Sequence, residues 1–189
     1  MQTFPTQGGY VQSERGRFWA CSTPFYKALL PVTEKLQPQC PLTLHYSPVQ
    51  PTFQLQVPKI PTALLEISVG FFRFVLQTAG GQAEAVIYFC FEDGAWSYKI
   101  PTQRMSPFTV QHEPISALDH VAVVVHSHGK MPAYFSQMDD ASDDDGFIFG
   151  VIGNLDSPVP TCAFRVGDRG YFLPIQFWDL WNNTQERSR

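Results

Sequence analysis

The chain carries little charge and gathers none of its positive charge in one place. Charged residues make up 16% of the sequence, with 13 basic against 17 acidic side chains and a net charge of −4. A nucleic-acid footprint or a polybasic membrane patch needs Lys and Arg clustered on one face, so both are disfavoured. No apolar run approaches the length needed to cross a bilayer. The opening stretch, MQTFPTQGGYVQSERGRFWA, lacks the basic and apolar regions of a signal peptide. The expectation is a soluble, cytoplasmic protein with no nucleic acid and no membrane as partner. Cysteine is scarce as well: Cys21, Cys40, Cys90 and Cys162 form no C-x-x-C pair, which argues against a cysteine-ligated zinc module. Cys90 and Cys162 lie in apolar, strand-like runs and read as buried thiols. Cys21 and Cys40 leave a disulfide open.

Proline is unevenly distributed. Nine of the sixteen prolines fall in residues 1–61, interspersed with Phe18, Trp19, Phe25, Tyr26 and Phe53. Proline removes a backbone donor and fixes φ, so this part should hold short extended pieces and turns, folded back on a surface by its aromatics. Residues 1–56 read as an N-terminal accessory segment and 182–189 as a polar tail. At 189 residues the chain is long enough to bury a full core.

From Thr62 the pattern changes. PTALLEISVGFFRFVLQTAGG starts with Pro-Thr and stops at Gly80-Gly81, which predicts a helix apolar nearly all round and packed in a core. Val86 to Phe91 is β-branched and aromatic, followed by a Glu-Asp-Gly turn and a second strand at Trp96 to Ile100. Residues 101–116 read as a loop or edge. Val121 to Val125 is apolar on both faces, as in a central strand covered on both sides. Further strands follow at Phe147 to Gly153, Cys162 to Val166 and Tyr171 to Ile175, and QFWDLW reads as an amphipathic C-terminal segment packed on the domain. Together these elements form an α/β (α+β) fold.

The polar chemistry sits at the end of the central strand, in VVVHSHGKMPAYFSQMDDASDDDG. Residues i and i+2 of a strand share a face, so His126 and His128 project together while Ser127 points away. Ser136 is a good N-cap, and Ser136-Gln137-Met138-Asp139 puts a carboxylate in the first turn of a short helix, close enough to reach back to the histidines. Two histidines and one carboxylate, with a fourth position open to water, are the ligand pattern of catalytic zinc, one ion per chain. Ser136 is placed to offer a hydroxyl to an oxyanion, and the base must come from further away. Asp140, Asp143, Asp144 and Asp145 read as a solvated helix face ended by Gly146. His45, His112 and His120 have no motif around them.

H-S-H, seven residues, then S-Q-M-D resembles the signature of the JAMM (MPN+, JAB) zinc metalloprotease family. The likeness covers roughly residues 57–175, and a JAMM/JAB domain is expected over 57–181. It implies an MPN/JAB-type (cytidine-deaminase-like) three-layer fold, with a mixed central sheet flanked by helices and a Pro-rich N-terminal extension. It implies that His126, His128 and Asp139 ligate zinc, that Ser136 is the oxyanion donor, and that an upstream glutamate activates the zinc-bound water. Glu84, after the helix-ending glycines, stands where the family carries that glutamate; Glu66, mid-helix, is the competitor. Gly129 departs from the family, many of whose members have proline after the second histidine. The activity implied is deubiquitinase-like: hydrolysis of a peptide or isopeptide bond after the C-terminal tail of a ubiquitin-like protein. A non-catalytic MPN-type scaffold and a zinc hydrolase acting on a small or sulfur-carrier substrate remain alternatives. The Pro-rich segment ahead of such a domain also resembles the A-type proteins of the ParB-related, ThiF-related cassettes (PRTRC) of bacterial plasmids. That likeness implies a ubiquitin-like protein, or its conjugate, and an E1-like (ThiF-type) protein as partners.

Overall fold

The computed structural model describes residues 8–32, 42–44, 49–81, 83–107, 109–116, 119–143 and 145–182. Cys40, His45 and Asp144, and with them the Cys21–Cys40 pairing and nearly all of the polar tail, lie outside the described residues. The centre of the molecule is a six-stranded mixed sheet. Its strands are β6 (Val86–Glu92), β7 (Ala95–Lys99), β10 (Val121–Ser127), β11 (Phe147–Gly153), β12 (Thr161–Asp168) and β13 (Tyr171–Ile175), in the order β13-β12-β11-β10-β6-β7. β10 lies inside, antiparallel to β6 and parallel to β11, which explains why both of its faces are apolar. Two-residue turns close the β6–β7 and β12–β13 hairpins. Asp93-Gly94 and Arg169-Gly170 all have positive φ, the geometry that matches the twist of paired strands.

One face of this sheet packs on α1 (Thr62–Thr78) and on a second, five-stranded sheet from the N-terminal part. That sheet comprises β1 (Gly9–Ser13), β2 (Gly16–Ser22), β3 (Tyr26–Pro31), β4 (Leu42–Leu44) and β5 (Thr52–Leu55), in the order β4-β1-β2-β3-β5. Trp19, Tyr26 and Leu30 share one core with Ile87, Val123 and Ile148. The Tyr10 and Tyr171 hydroxyls meet at 3.1 Å, and the Trp19 indole N–H donates to Asp168 at 2.7 Å, so polar as well as apolar contacts join the two sheets. α3 (Phe177–Leu180) delivers Trp181 into the same core, where it stacks on Phe177, while Trp178 remains 61% exposed.

Three expectations need correction. α1 is not enclosed all round: Leu64, Ser68, Phe72, Val75 and Leu76 form its buried stripe, whereas Phe74 is 63% exposed and Ile67 37%. The helix lies against one sheet face only, so its other side meets solvent although its residues there are apolar. Residues 101–116 contain a small antiparallel ribbon, β8 (Gln103–Met105) with β9 (Val110–His112). Together with Ile115 and Phe135, Val110 of this ribbon covers the second sheet face, where Val86, Tyr88, Val124 and Phe149 form a smaller core. Cys162, at the start of β12, is exposed, while Cys21 and Cys90 are buried. Among the described residues, no helix is long and apolar enough to cross a membrane.

The loop after β10 is pinned to the end of β11. The amides of His128, Asn154 and Leu155 donate to the carbonyls of Ile152, Met131 and Gly129 at 2.9, 2.7 and 2.9 Å. Gly129 has φ +56°, a left-handed conformation closed to proline, whose ring holds φ near −65°. At Gly153 the loop passes so close that a Cβ would overlap the Met131 carbonyl and the Pro132 backbone. Gly153→Ala is therefore expected to cost about 1–3 kcal/mol through overpacking. Urea unfolding measures this, and an unchanged midpoint would mean that the loop yields freely.

Candidate metal centre

β10 carries His126 near its end and His128 follows directly after it, with their Nε2 atoms 3.2 Å apart. The third group comes from α2 (Gln137–Ser142). Ser136 caps this helix through a reciprocal capping box: its hydroxyl accepts from the Asp139 amide at 3.2 Å, and Asp139 Oδ2 accepts from the Ser136 amide at 2.6 Å. The cap orients the Asp139 carboxylate toward the histidines, with Oδ1 3.1 Å from His126 Nε2 and Oδ2 3.7 Å from His128 Nε2. Burial alone would raise the Asp139 carboxyl. The imidazoles of His126 and His128 beside it, with the hydrogen bond from the Ser136 amide, outweigh it and hold the group well below the ordinary carboxylate range. Ligand atoms of His126, His128 and Asp139 lie within 4.8 Å of one another, close enough to hold one metal ion.

Glu84 is brought to this cluster by strand register. β6 and β10 pair with Val86 opposite His126, and one residue further Ser127 bridges Ala85 twice. The Ser127 amide donates to the Ala85 carbonyl at 3.0 Å, and the Ala85 amide donates to the Ser127 hydroxyl at 3.0 Å. Glu84 and His128 are the next residues beyond this bridge, and both line one opening. The Glu84 amide also donates to the Ser106 carbonyl at 2.9 Å, tying it to the β8–β9 ribbon. Burial raises the Glu84 carboxyl; the charges of His128 and His126 oppose the rise, and Asp139 adds to it. Glu66 is exposed on α1.

Glu84 separates two openings. One, of about 270 Å³, lies between the α1 end and the loop after β10 and is lined by Gly81, Pro107, His128 and Lys130 among others. The other, of about 170 Å³, is lined by Glu84, His126, Asp139, Met138 and the ribbon residues Val110 and His112. The ribbon thus forms one wall of the site. The Tyr88 hydroxyl, 2.6 Å from His112 Nδ1, and the Gln103 side chain, bonded to both backbone groups of Val86, anchor it there.

Comparison with known families matches residues 73–167 to the prokaryotic homologues of the JAB domain. The chain belongs to this family. The match runs from within α1 to within β12 and spans Glu84, His126, His128, Ser136 and Asp139. Comparison with curated proteins gives no match.

Within this JAB domain, two of the aspartates expected to form a solvated face do something else. Arg165 of β12 is buried, and its two terminal nitrogens donate to Asp140 and, at 2.7 Å, to Asp143, which is itself buried. The guanidinium lies between the rings of Phe135 and Phe172, 3.9 and 3.8 Å from their centroids. Local reading of the Asp run missed this because the partner is in a different element. The available signal was an arginine inside the otherwise apolar strand Ala163-Phe164-Arg165-Val166. Burial raises the Asp143 carboxyl, with Arg165 pulling the other way. His120, at φ +49°, pairs with Glu92 away from the cluster.

The raised Glu84 carboxyl has a consequence for stability. Its folded-state value lies above the ordinary 4.5, so ionisation costs stability as pH rises through that raised value, and the cost vanishes below the ordinary value. Chelator-treated Glu84→Gln should therefore be more stable than the parent at about pH 8, with the difference closing toward about pH 4. Denaturant titrations at both pH values test this. Parallel pH dependence in the two proteins would mean that Glu84 is hydrated in solution.

Proposed function

We propose that this JAB domain is a zinc-dependent peptidase or isopeptidase that hydrolyses the bond after the C-terminal tail of a ubiquitin-like protein. The observation that carries the reading is the convergence of two imidazole nitrogens and one carboxylate beside a buried glutamate at an open cleft. The donor set fits zinc. Ligand atoms about 2.0–2.1 Å from a tetrahedral ion are about 3.3 Å from one another, and the His126–His128, His126–Asp139 and His128–Asp139 separations are 3.2, 3.1 and 3.7 Å. His126, His128 and Asp139 would hold the ion. Bound there, zinc supplies a Lewis acid and a water acidic enough to become a nucleophile near neutral pH.

The remaining steps fall to the chain's own groups. The Glu84 carboxylate, raised by burial, is suited to take a proton from the attacking water and pass it to the leaving amine. The Ser136 hydroxyl accepts from the Asp139 amide, which leaves its own proton to donate to the developing oxyanion. An extended substrate tail would lie as an added strand along a sheet edge, and the β8–β9 ribbon is the edge that borders the cleft. The same reading assigns the molecule to the three-layer MPN/JAB-type fold and to the cytoplasm, with residues 1–56 as an accessory segment. It assigns a PRTRC-type ubiquitin-like protein and its E1-like partner as the associated proteins.

Elemental analysis and hydrolysis of ubiquitin-like fusions test the reading together. One zinc per chain is expected, lost in Asp139→Ala. Glu84→Gln should keep the metal and lose activity by about a hundredfold or more, and Ser136→Ala should lose about a hundredfold to a thousandfold. Full zinc occupancy with no hydrolysis of any ubiquitin-like substrate would favour the scaffold alternative, and undiminished activity in Glu84→Gln would remove Glu84 as the base.

A further inference from the structure

We propose that Arg165 is the positioning residue of the metal centre, holding α2, and through it Asp139 and Ser136, in place beneath the two histidines. The zinc part of this inference rests on the reading above; the anchoring of α2 does not. α2 has only six residues, and none of them is buried. A helix so short is not stable by itself in water, and without a buried face no hydrophobic contact can fix its position. Its capping box closes the first turn but does not tie the helix to the sheet.

Arg165 makes that tie at the middle of the helix and at its C-cap. One terminal nitrogen bonds Asp140, the residue after the ligand Asp139, and the other bonds Asp143, the C-cap, whose own amide donates to the Asp139 carbonyl at 2.9 Å. Phe135, immediately before the N-cap Ser136, lies over one face of the guanidinium, so the segment leading into α2 is held by the same side chain. Phe172 closes the other face. Among the described residues Nε has no partner, and the two side-chain hydrogen bonds of Arg165 go to α2 and its C-cap. The base of the clamp is rigid, because β12 pairs on both sides, with Phe149 and Pro174 opposite Arg165. A planar fork with stacking faces suits this geometry, and a lysine could neither bridge two carboxylates in the same way nor fill the slot between two rings.

The test compares Arg165→Met and Arg165→Lys with Trp181→Phe, a substitution in the core on the opposite sheet face, in the full-length protein. Two quantities are read: hydrogen exchange at the amides of Asp139, Asp140 and Asp143, with and without zinc, and the rate at which zinc is lost to a chelator. Arg165→Met should speed α2 exchange and zinc loss, the latter by about tenfold to a hundredfold. Arg165→Lys should fall between it and the parent. Trp181→Phe should leave both unchanged even where its melting temperature falls as far. Unchanged α2 exchange in Arg165→Met, or an equal effect of Trp181→Phe, would overturn the proposal. Faster α2 exchange in a protein whose parent form holds no zinc would support the clamp while rejecting the zinc reading of the site.

Discussion

The arrangement of the site depends on the double bridge between Ser127 and Ala85. Ser127 is fully buried, and it uses its amide and its hydroxyl on the two backbone groups of a single residue. The side chain thereby extends the β6–β10 ladder past the point where β6 begins. Glu84, just before β6, and His128, just after β10, are the next residues along, so the carboxylate and the imidazole are placed where the paired strands end. Leaving a buried amide unpaired costs about 1–3 kcal/mol, which is why the strands are held in this register to their ends.

Around that bridge the fold concentrates charge that it excludes elsewhere. Among the described residues, the buried acidic, basic and imidazole side chains, Glu84, His128, Asp143 and Arg165, all belong to the candidate metal centre or to the contacts that hold α2. The remainder of the core is apolar or aromatic, apart from hydroxyls such as that of Ser68, which donates to the Leu64 carbonyl. Buried charge is tolerated where it is paired, as at Arg165, and strongly perturbed carboxyls such as Glu84 cluster at functional sites. Departures from ordinary packing are expected at functional sites, and here they coincide with the site.

Much of the site was legible because its determinants are local. Strand alternation puts His126 and His128 on one face, and the Ser136-to-Asp139 spacing is that of a capping box; both patterns lie within a few residues of chain. The hairpin turn at Asp93-Gly94 was legible for the same reason. Arg165 was not, because its partners lie more than twenty residues away and the Asp run resembles a solvated helix face when read alone. The exposure of Phe74 was also hidden: residues that are apolar on both sides of a helix do not say which side meets the sheet.

The sequence by itself determined which residue types stand at strand ends, caps and turns, since those choices answer to the backbone within one or two turns of chain. Only the tertiary structure decided that Glu84 and His128 line one opening, that the N-terminal strands complete the core, and that Asp140 and Asp143 close on a buried arginine. Each of these joins segments far apart in sequence, and their pairing is set by the total burial and hydrogen bonding of the folded chain, which no single stretch of sequence carries.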